Sequence, residues 1–213
     1  MTESRAALVA RSRRLNYATL AYNALEGVIA IASGMVAGSV ALIGFGIDSG
    51  IELTASVVAL WRLRHDADHA RRERAERTAH RIIGVLFLAL ALYVAVEAGL
   101  ALWHREQPGE SPIGIALAAA SVIVMPYLAR AKRRVGLALG SRALTAEATQ
   151  TSLCMWLSAI LLVGLLLNAL FGWWWADPVA ALAMVPIIAK EGVEGVRGTP
   201  ACGDACGCGV VTE

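Results

Sequence analysis

The sequence has few of the side chains that usually perform catalysis. It contains four histidines and four cysteines in 213 residues, and only 17% of its residues are charged. No serine–histidine pair, His-Glu-x-x-His segment or similar catalytic set is present, and no histidine lies inside an apolar run. Cys154 stands alone and the other three cysteines crowd the C-terminal tail, unlike the spread-out cysteines of a disulfide-stapled secreted domain. These absences argue against an enzyme, and we expect no prosthetic group.

Apolar residues dominate what is present. They make up 57% of the chain, against about 45–50% in soluble domains, and they form long runs separated by short charged segments. No cleavable signal peptide is predicted, because Met1–Arg14 is polar and basic and the following apolar run exceeds the roughly 7–15 residues of a signal sequence. We therefore predict an all-α, polytopic membrane protein with the lipid bilayer as its main partner and no nucleic-acid partner.

Six segments are predicted to cross the membrane, which requires about 20 mostly apolar residues each. Their approximate bounds are Leu15–Met35, Ser39–Leu60, Ile82–Trp103, Ile113–Leu128, Leu144–Leu170 and Val179–Ala189. The sixth is long enough if it extends from about Trp173 to Lys190. The predicted organisation is a basic N-terminus (1–14), a six-helix transmembrane domain (15–198) and a cysteine-containing tail (199–213).

The distribution of basic residues predicts the orientation. Arginine and lysine precede the first span, separate the second from the third and the fourth from the fifth, and follow the sixth. Lys132 is assigned to the loop between the fourth and fifth spans, and only Arg105 falls on the opposite side. Because positive charge collects on the cytoplasmic side, both termini are predicted to be cytoplasmic, in the inner membrane of a bacterium.

Five carboxylates occur within or at the edge of these apolar spans: Glu26, Asp48, Glu52, Glu97 and Glu147. An acidic residue at the centre of a membrane helix costs about 2.5–3.5 kcal/mol on insertion scales. Intramembrane carboxylates therefore indicate an ion or proton pathway.

Asp48 and Glu52 are the most informative pair of carboxylates, because residues four apart share one helix face. Two adjacent carboxylates repel each other unless they share a proton or bind a cation. A divalent cation satisfies both at once. The alternative is a protonated pair that is hydrogen-bonded to its neighbours.

A second polar stripe lies on the fifth span, where Glu147, Gln150, Thr151 and Cys154 follow helical spacing. A cysteine thiolate is a soft ligand suited to zinc, cadmium or monovalent copper. A cysteine at such a position also serves as a small buried apolar residue. Both interpretations of Cys154 stay open from the residues alone.

The carboxylate pair and the polar stripe give the sequence a resemblance to a known family, the cation diffusion facilitators, which are divalent metal/proton antiporters. Asp48-Ser49-Gly50-Ile51-Glu52 is similar to the Asp-x-x-x-Asp motif on the second helix of that family, with Glu52 in place of the second aspartate. Ser39–Leu42 and Ala176–Leu182 also resemble family segments. The resemblance covers residues 15–198 and implies six membrane helices with cytoplasmic termini and a homodimer.

The resemblance also implies a metal site shared by the second and fifth helices. Its ligands here would be Asp48, Glu52, Gln150 and Cys154, with Thr151 and Met155 as the competing register on the fifth helix. Gln150 and Cys154 stand where the family has histidine and aspartate. Accessory residues are expected among Glu147, Thr151, Glu26, Cys202, Cys206 and Cys208.

The resulting hypothesis is a secondary transporter that exports a divalent cation in exchange for protons. Zinc is the expected ion, and cadmium, cobalt, iron(II) and manganese are the alternatives.

After Arg197 only a short tail remains, so the family's usual cytoplasmic C-terminal domain is missing and we expect a short form. The alternative is a non-transporting membrane metal sensor or accessory protein on the same fold. The tail cysteines, and His65 and His69 after the second span, are further metal-binding candidates.

Overall fold

The described part of the chain is entirely helical where it has regular structure. A computed structural model describes residues 5–64, 69–139 and 142–197. The helices are α1 (Arg5–Ala37), α2 (Val40–Arg64), α3 (His69–His104), α4 (Pro112–Leu139), α5 (Arg142–Phe171) and α6 (Ala176–Arg197). Those residues contain no strand, so the predicted all-α class and the six predicted helices are confirmed.

Several helices are longer than the apolar runs that predicted them. α3 begins at His69 instead of Ile82, and α4 continues to Leu139 instead of ending near Leu128. The basic residues that we assigned to the loop after the fourth span therefore lie on the last turns of α4, and that prediction was wrong. Arginine, lysine and alanine favour the helix, so its hydrogen bonding continues after the apolar run ends.

The helix bundle has an apolar outer surface, and its apolar core encloses a set of buried polar side chains. Large apolar side chains such as Val28, Leu92 and Tyr127 are about two-thirds exposed, and Trp103 is 84% exposed. The buried polar set comprises Asn16, Thr19, Asn23, Glu26, Ser39, Asp48, Ser49, Glu52, Ser111, Ser121, Lys132, Thr151, Ser158, Asn168 and Asp177. This arrangement is expected when lipid covers the outside and polar groups must find partners within the protein.

By length and composition alone, four of the described helical segments are able to cross a membrane. They are Ala6–Ala37, Arg81–His104, Pro112–Leu139 and Glu147–Phe171. α2 carries Asp48 and Glu52 within an otherwise apolar run. α6 is interrupted by the charged residues Asp177, Lys190 and Glu191.

Helix packing places α2 at the centre of the bundle. The most extensive contacts pair α1 with α2, α3 with α6 and α4 with α5, and α2 also contacts α3, α5 and α6. Glycines allow the closest approaches. A Cβ atom at Gly46 would lie 2.9 Å from the backbone nitrogen of Ile31 on α1, and one at Gly84 would lie 2.5 Å from that of Val196 on α6. Side chains at these glycines would force the helices apart.

The start of α2 is held by a hydrogen-bonded cap. α1 ends at Ala37 and is followed by Gly38, whose φ of +65° suits glycine. The next amide, that of Ser39, donates back to the carbonyl of Gly34 at 3.0 Å. The Ser39 hydroxyl accepts from the Leu42 amide at 3.1 Å and donates to Asp177 Oδ1 at 2.5 Å. This cap ties α6 to α2 and gives the Ala176–Leu182 segment a structural role.

Candidate metal centre

Three potential metal ligands converge in the interior of the bundle. Asp48 and Glu52 lie one turn apart on α2, and Cys154 lies on α5. Their exposed fractions are 3%, 6% and 0%, respectively. One carboxylate oxygen from each acid and the Cys154 sulfur all lie within 4.8 Å of one another. The i, i+4 spacing on α2 and the packing of α2 against α5 produce this cluster.

A small cavity adjoins the cluster, and Gln150 lines it together with the three ligands. The rest of its lining comes from α3, α5 and α6: Phe87, Leu153, Leu157, Ile187, Ile188 and Glu191. Gln150 is only half-buried, and it also borders a second cavity described below. The structure thus brings all four sequence-predicted ligand residues to one cavity.

The competing register on α5 has a different environment. Met155 packs against the apolar core, and the Thr151 hydroxyl donates to the Glu147 carbonyl oxygen one turn earlier, at 2.9 Å. Thr151 does not line the cavity beside Asp48 and Cys154, although it lines the second cavity. The geometry therefore favours Gln150 and Cys154 as the residues that face the α2 carboxylates.

Glu26 on α1 is linked to this cluster by hydrogen bonds. Its carboxylate accepts from the Ser49 hydroxyl at 3.0 Å and from the Ser121 hydroxyl of α4, and the Cys154 sulfur lies 4.0 Å from Glu26 Oε2. The Tyr22 hydroxyl is 2.8 Å from the Ser121 oxygen. Three helices around α2 thus contribute to one buried polar network. The sequence analysis predicted Asp48, Glu52 and Cys154 as ligands and Glu26 as an accessory residue, but not the hydroxyl groups of Tyr22, Ser49 and Ser121.

Glu52 is held on its other side by Asn23. The Asn23 amide nitrogen donates to Glu52 Oε2 at 2.9 Å, whereas the Asn23 amide oxygen has no hydrogen-bond partner among the described residues. Both side chains border the second cavity. Its lining residues are Thr19, Asn23, Glu52, Ser56, Lys132, Glu147, Gln150 and Thr151. The two cavities therefore share Glu52 and Gln150.

Lys132 is the functional candidate that sequence reasoning misplaced. It is 2% exposed and lies on the buried face of α4, with its ammonium nitrogen 3.6 Å from Glu147 Oε2. The basic residues around it, Arg130, Arg133 and Arg134, are typical of a loop at the membrane surface. Its spacing of seven residues after Met125 and four before Gly136, both buried, was the signal that places it on an interior stripe.

Other predicted site residues are not gathered here. Cys202, Cys206, Cys208 and His65 lie outside the described residues, as does the side chain of His69. Glu97 on α3 is half-exposed and lines neither of the two cavities.

Fold and interior together define a polytopic α-helical membrane protein with acids and a thiol gathered between its helices. Residues 17–198 match the family described as the cation efflux transmembrane domain. The chain belongs to this family, which confirms the family predicted from the α2 motif. The described family is one of cation efflux, the class of protein that the sequence analysis predicts.

Two curated relatives are similar to the chain. An uncharacterised transporter of Synechocystis sp. is 29% identical over 176 residues, covering 79% of this chain and 57% of the relative. An uncharacterised transporter of Methanocaldococcus jannaschii is 30% identical over 182 residues, covering 79% of this chain and 61% of the relative. The chain thus spans about three-fifths of the length of these relatives.

Proposed function

We propose that the protein is a secondary transporter that exports a divalent metal cation in exchange for protons, with zinc as the expected ion. The ion binds to Asp48, Glu52, Gln150 and Cys154 between α2 and α5. We further propose that it acts as a homodimer in the inner membrane of a bacterium.

The observation that carries this proposal is the convergence of two buried carboxylates and a buried thiol within 4.8 Å. A tetrahedral zinc ion with bonds of about 2.0–2.3 Å holds its donors about 3.3–3.8 Å apart. The three donors, which lie within 4.8 Å of one another, therefore need to approach by no more than about 1.5 Å to hold the ion. Gln150 supplies a neutral fourth donor from the wall of the same cavity.

The donor chemistry links metal binding to proton release. Carboxyl and thiol groups lose their protons when they bind a metal, so metal release on one side favours proton uptake there. Two negative carboxylates match the charge of a divalent cation, and the sulfur of Cys154 favours thiophilic ions over hard ones. Movement of helices around this interior site alternates its access between the two sides of the membrane, and inward protons drive metal outward.

Reconstitution into proteoliposomes tests the proposal. Metal and proton fluxes are followed with a zinc-sensitive dye and a pH-sensitive dye in the same vesicles. We expect zinc and protons to move in opposite directions, and an imposed proton gradient to accelerate zinc movement. A metal sensor or accessory protein would bind zinc without either flux, and binding without flux in correctly oriented protein would refute transport.

A further inference from the structure

Lys132 is the one basic residue among the buried side chains that the structure describes. It lies on α4 inside a helix that is able to span a membrane, where a lysine is costly unless it has a partner. Two buried or nearly buried acids, Glu52 and Glu147, line the same cavity as Lys132. A single interior cation beside two acids is positioned to balance charge.

The contact of Lys132 with Glu147 is a loose one. The separation of 3.6 Å between the ammonium nitrogen and Glu147 Oε2 exceeds the roughly 3.2 Å limit of an N–H···O hydrogen bond. That carboxylate oxygen has no hydrogen-bond partner among the described residues. Lys132 is therefore held near Glu147 by charge rather than by a fixed hydrogen bond.

The same cavity extends from Lys132 to Glu52, one of the proposed metal ligands. Lys132 and Glu52 therefore face each other across one shared cavity. Asn23, which donates to Glu52 Oε2, also borders this cavity, and its amide oxygen has no hydrogen-bond partner among the described residues. Glu52 thus stands between two cation positions: the ligand cluster on one side and the lysine cavity on the other.

We propose that Lys132 is a tethered counter-ion beside the metal site. Its ammonium group is held next to Glu147 and lowers the affinity of Glu52 for a divalent cation across the cavity that the two residues share. The inference rests on the proposed function, because it requires a metal at the ligand cluster. Metal and ammonium repel each other across the cavity, and the same repulsion assists metal release, which is the step an exporter must complete.

A double-mutant cycle on the full-length chain in detergent tests this role, with zinc binding measured by calorimetry. Lys132→Met should bind zinc about tenfold more tightly or better, since one nearby positive charge is removed. The same tightening should appear when Lys132→Met/Glu147→Gln is compared with Glu147→Gln alone. That second comparison covers the case in which Lys132→Met fails to fold because Glu147 is left unpaired.

The controls separate a counter-ion from a structural ion pair. Arg133→Met removes a positive charge from the next, exposed position of α4 and should leave zinc affinity unchanged. In proteoliposomes, Lys132→Met should lower both the half-saturating zinc concentration and the maximal flux. A purely structural lysine would give weaker binding, and its effect would vanish in the Glu147→Gln background.

Zinc affinity that is unchanged or weaker in folded Lys132 variants overturns the counter-ion role alone. A parent protein that binds no zinc, cadmium or manganese overturns the proposed function as well.

Discussion

Replacing Asp48 by asparagine is the sharpest test of the metal site, because it keeps the size of the side chain and removes one negative charge. Asp48 is 3% exposed, and its carboxylate lies within 4.8 Å of the Glu52 oxygen and the Cys154 sulfur. Loss of one charged partner from a buried ionic contact costs about 3–5 kcal/mol. We therefore expect Asp48→Asn to weaken zinc binding by roughly 10²- to 10⁴-fold.

The same substitution should not destabilise the metal-free protein. Two unit charges within 4.8 Å repel each other by about 3 kcal/mol or more at an effective dielectric constant of 20, so neutralising one of them removes an unfavourable contact. The unfolding temperature without metal should be equal or higher, while zinc-induced stabilisation and zinc flux should both disappear. Glu97→Gln is the matched control, since it neutralises an intramembrane carboxylate that lines neither cavity. An Asp48→Asn variant that transports zinc at the parent rate would refute Asp48 as a ligand.

Two further substitutions and one truncation have expected outcomes. Cys154→Asp should shift preference from cadmium towards manganese in competition flux assays, because oxygen suits hard cations better than sulfur does, and an unchanged preference would show that Cys154 only packs. Gly84→Val should prevent α3 from packing on α6 and lower the unfolding temperature and yield of folded protein, whereas Gly99→Val, at an open position, should change neither. Removing Cys202–Glu213 should weaken apparent zinc affinity modestly and leave maximal flux nearly intact; complete loss of flux in a folded truncation would place the site elsewhere.

The fold was predictable because apolar runs of membrane-spanning length are local features of the chain. The length of such a run predicts a helix regardless of what the helix packs against, since every backbone polar group in lipid must be paired within its own helix. The residues at which the helices begin and end were less predictable. α3 and α4 extend well past their apolar runs, because helical hydrogen bonding does not stop where hydrophobicity does. Lys132 was misplaced for this reason.

The two α2 carboxylates were also a local prediction. Their i, i+4 spacing puts Asp48 and Glu52 on one face of any helix, and their position inside an apolar segment makes them costly without a function. Neither inference requires knowledge of a neighbouring helix. The sequence alone therefore determined the helical class, the number of helices and the acid pair.

Tertiary structure decided which side chains meet those acids. The sequence left two registers open on α5, and only the packing of α5 against α2 brings Gln150 and Cys154, rather than Met155, to the cavity. Lys132 on α4, far from α2 in sequence, becomes a neighbour of Glu52 through the same bundle. Contacts between helices depend on how the glycine-lined and polar faces of all six helices fit together, a property that no single segment of the sequence contains.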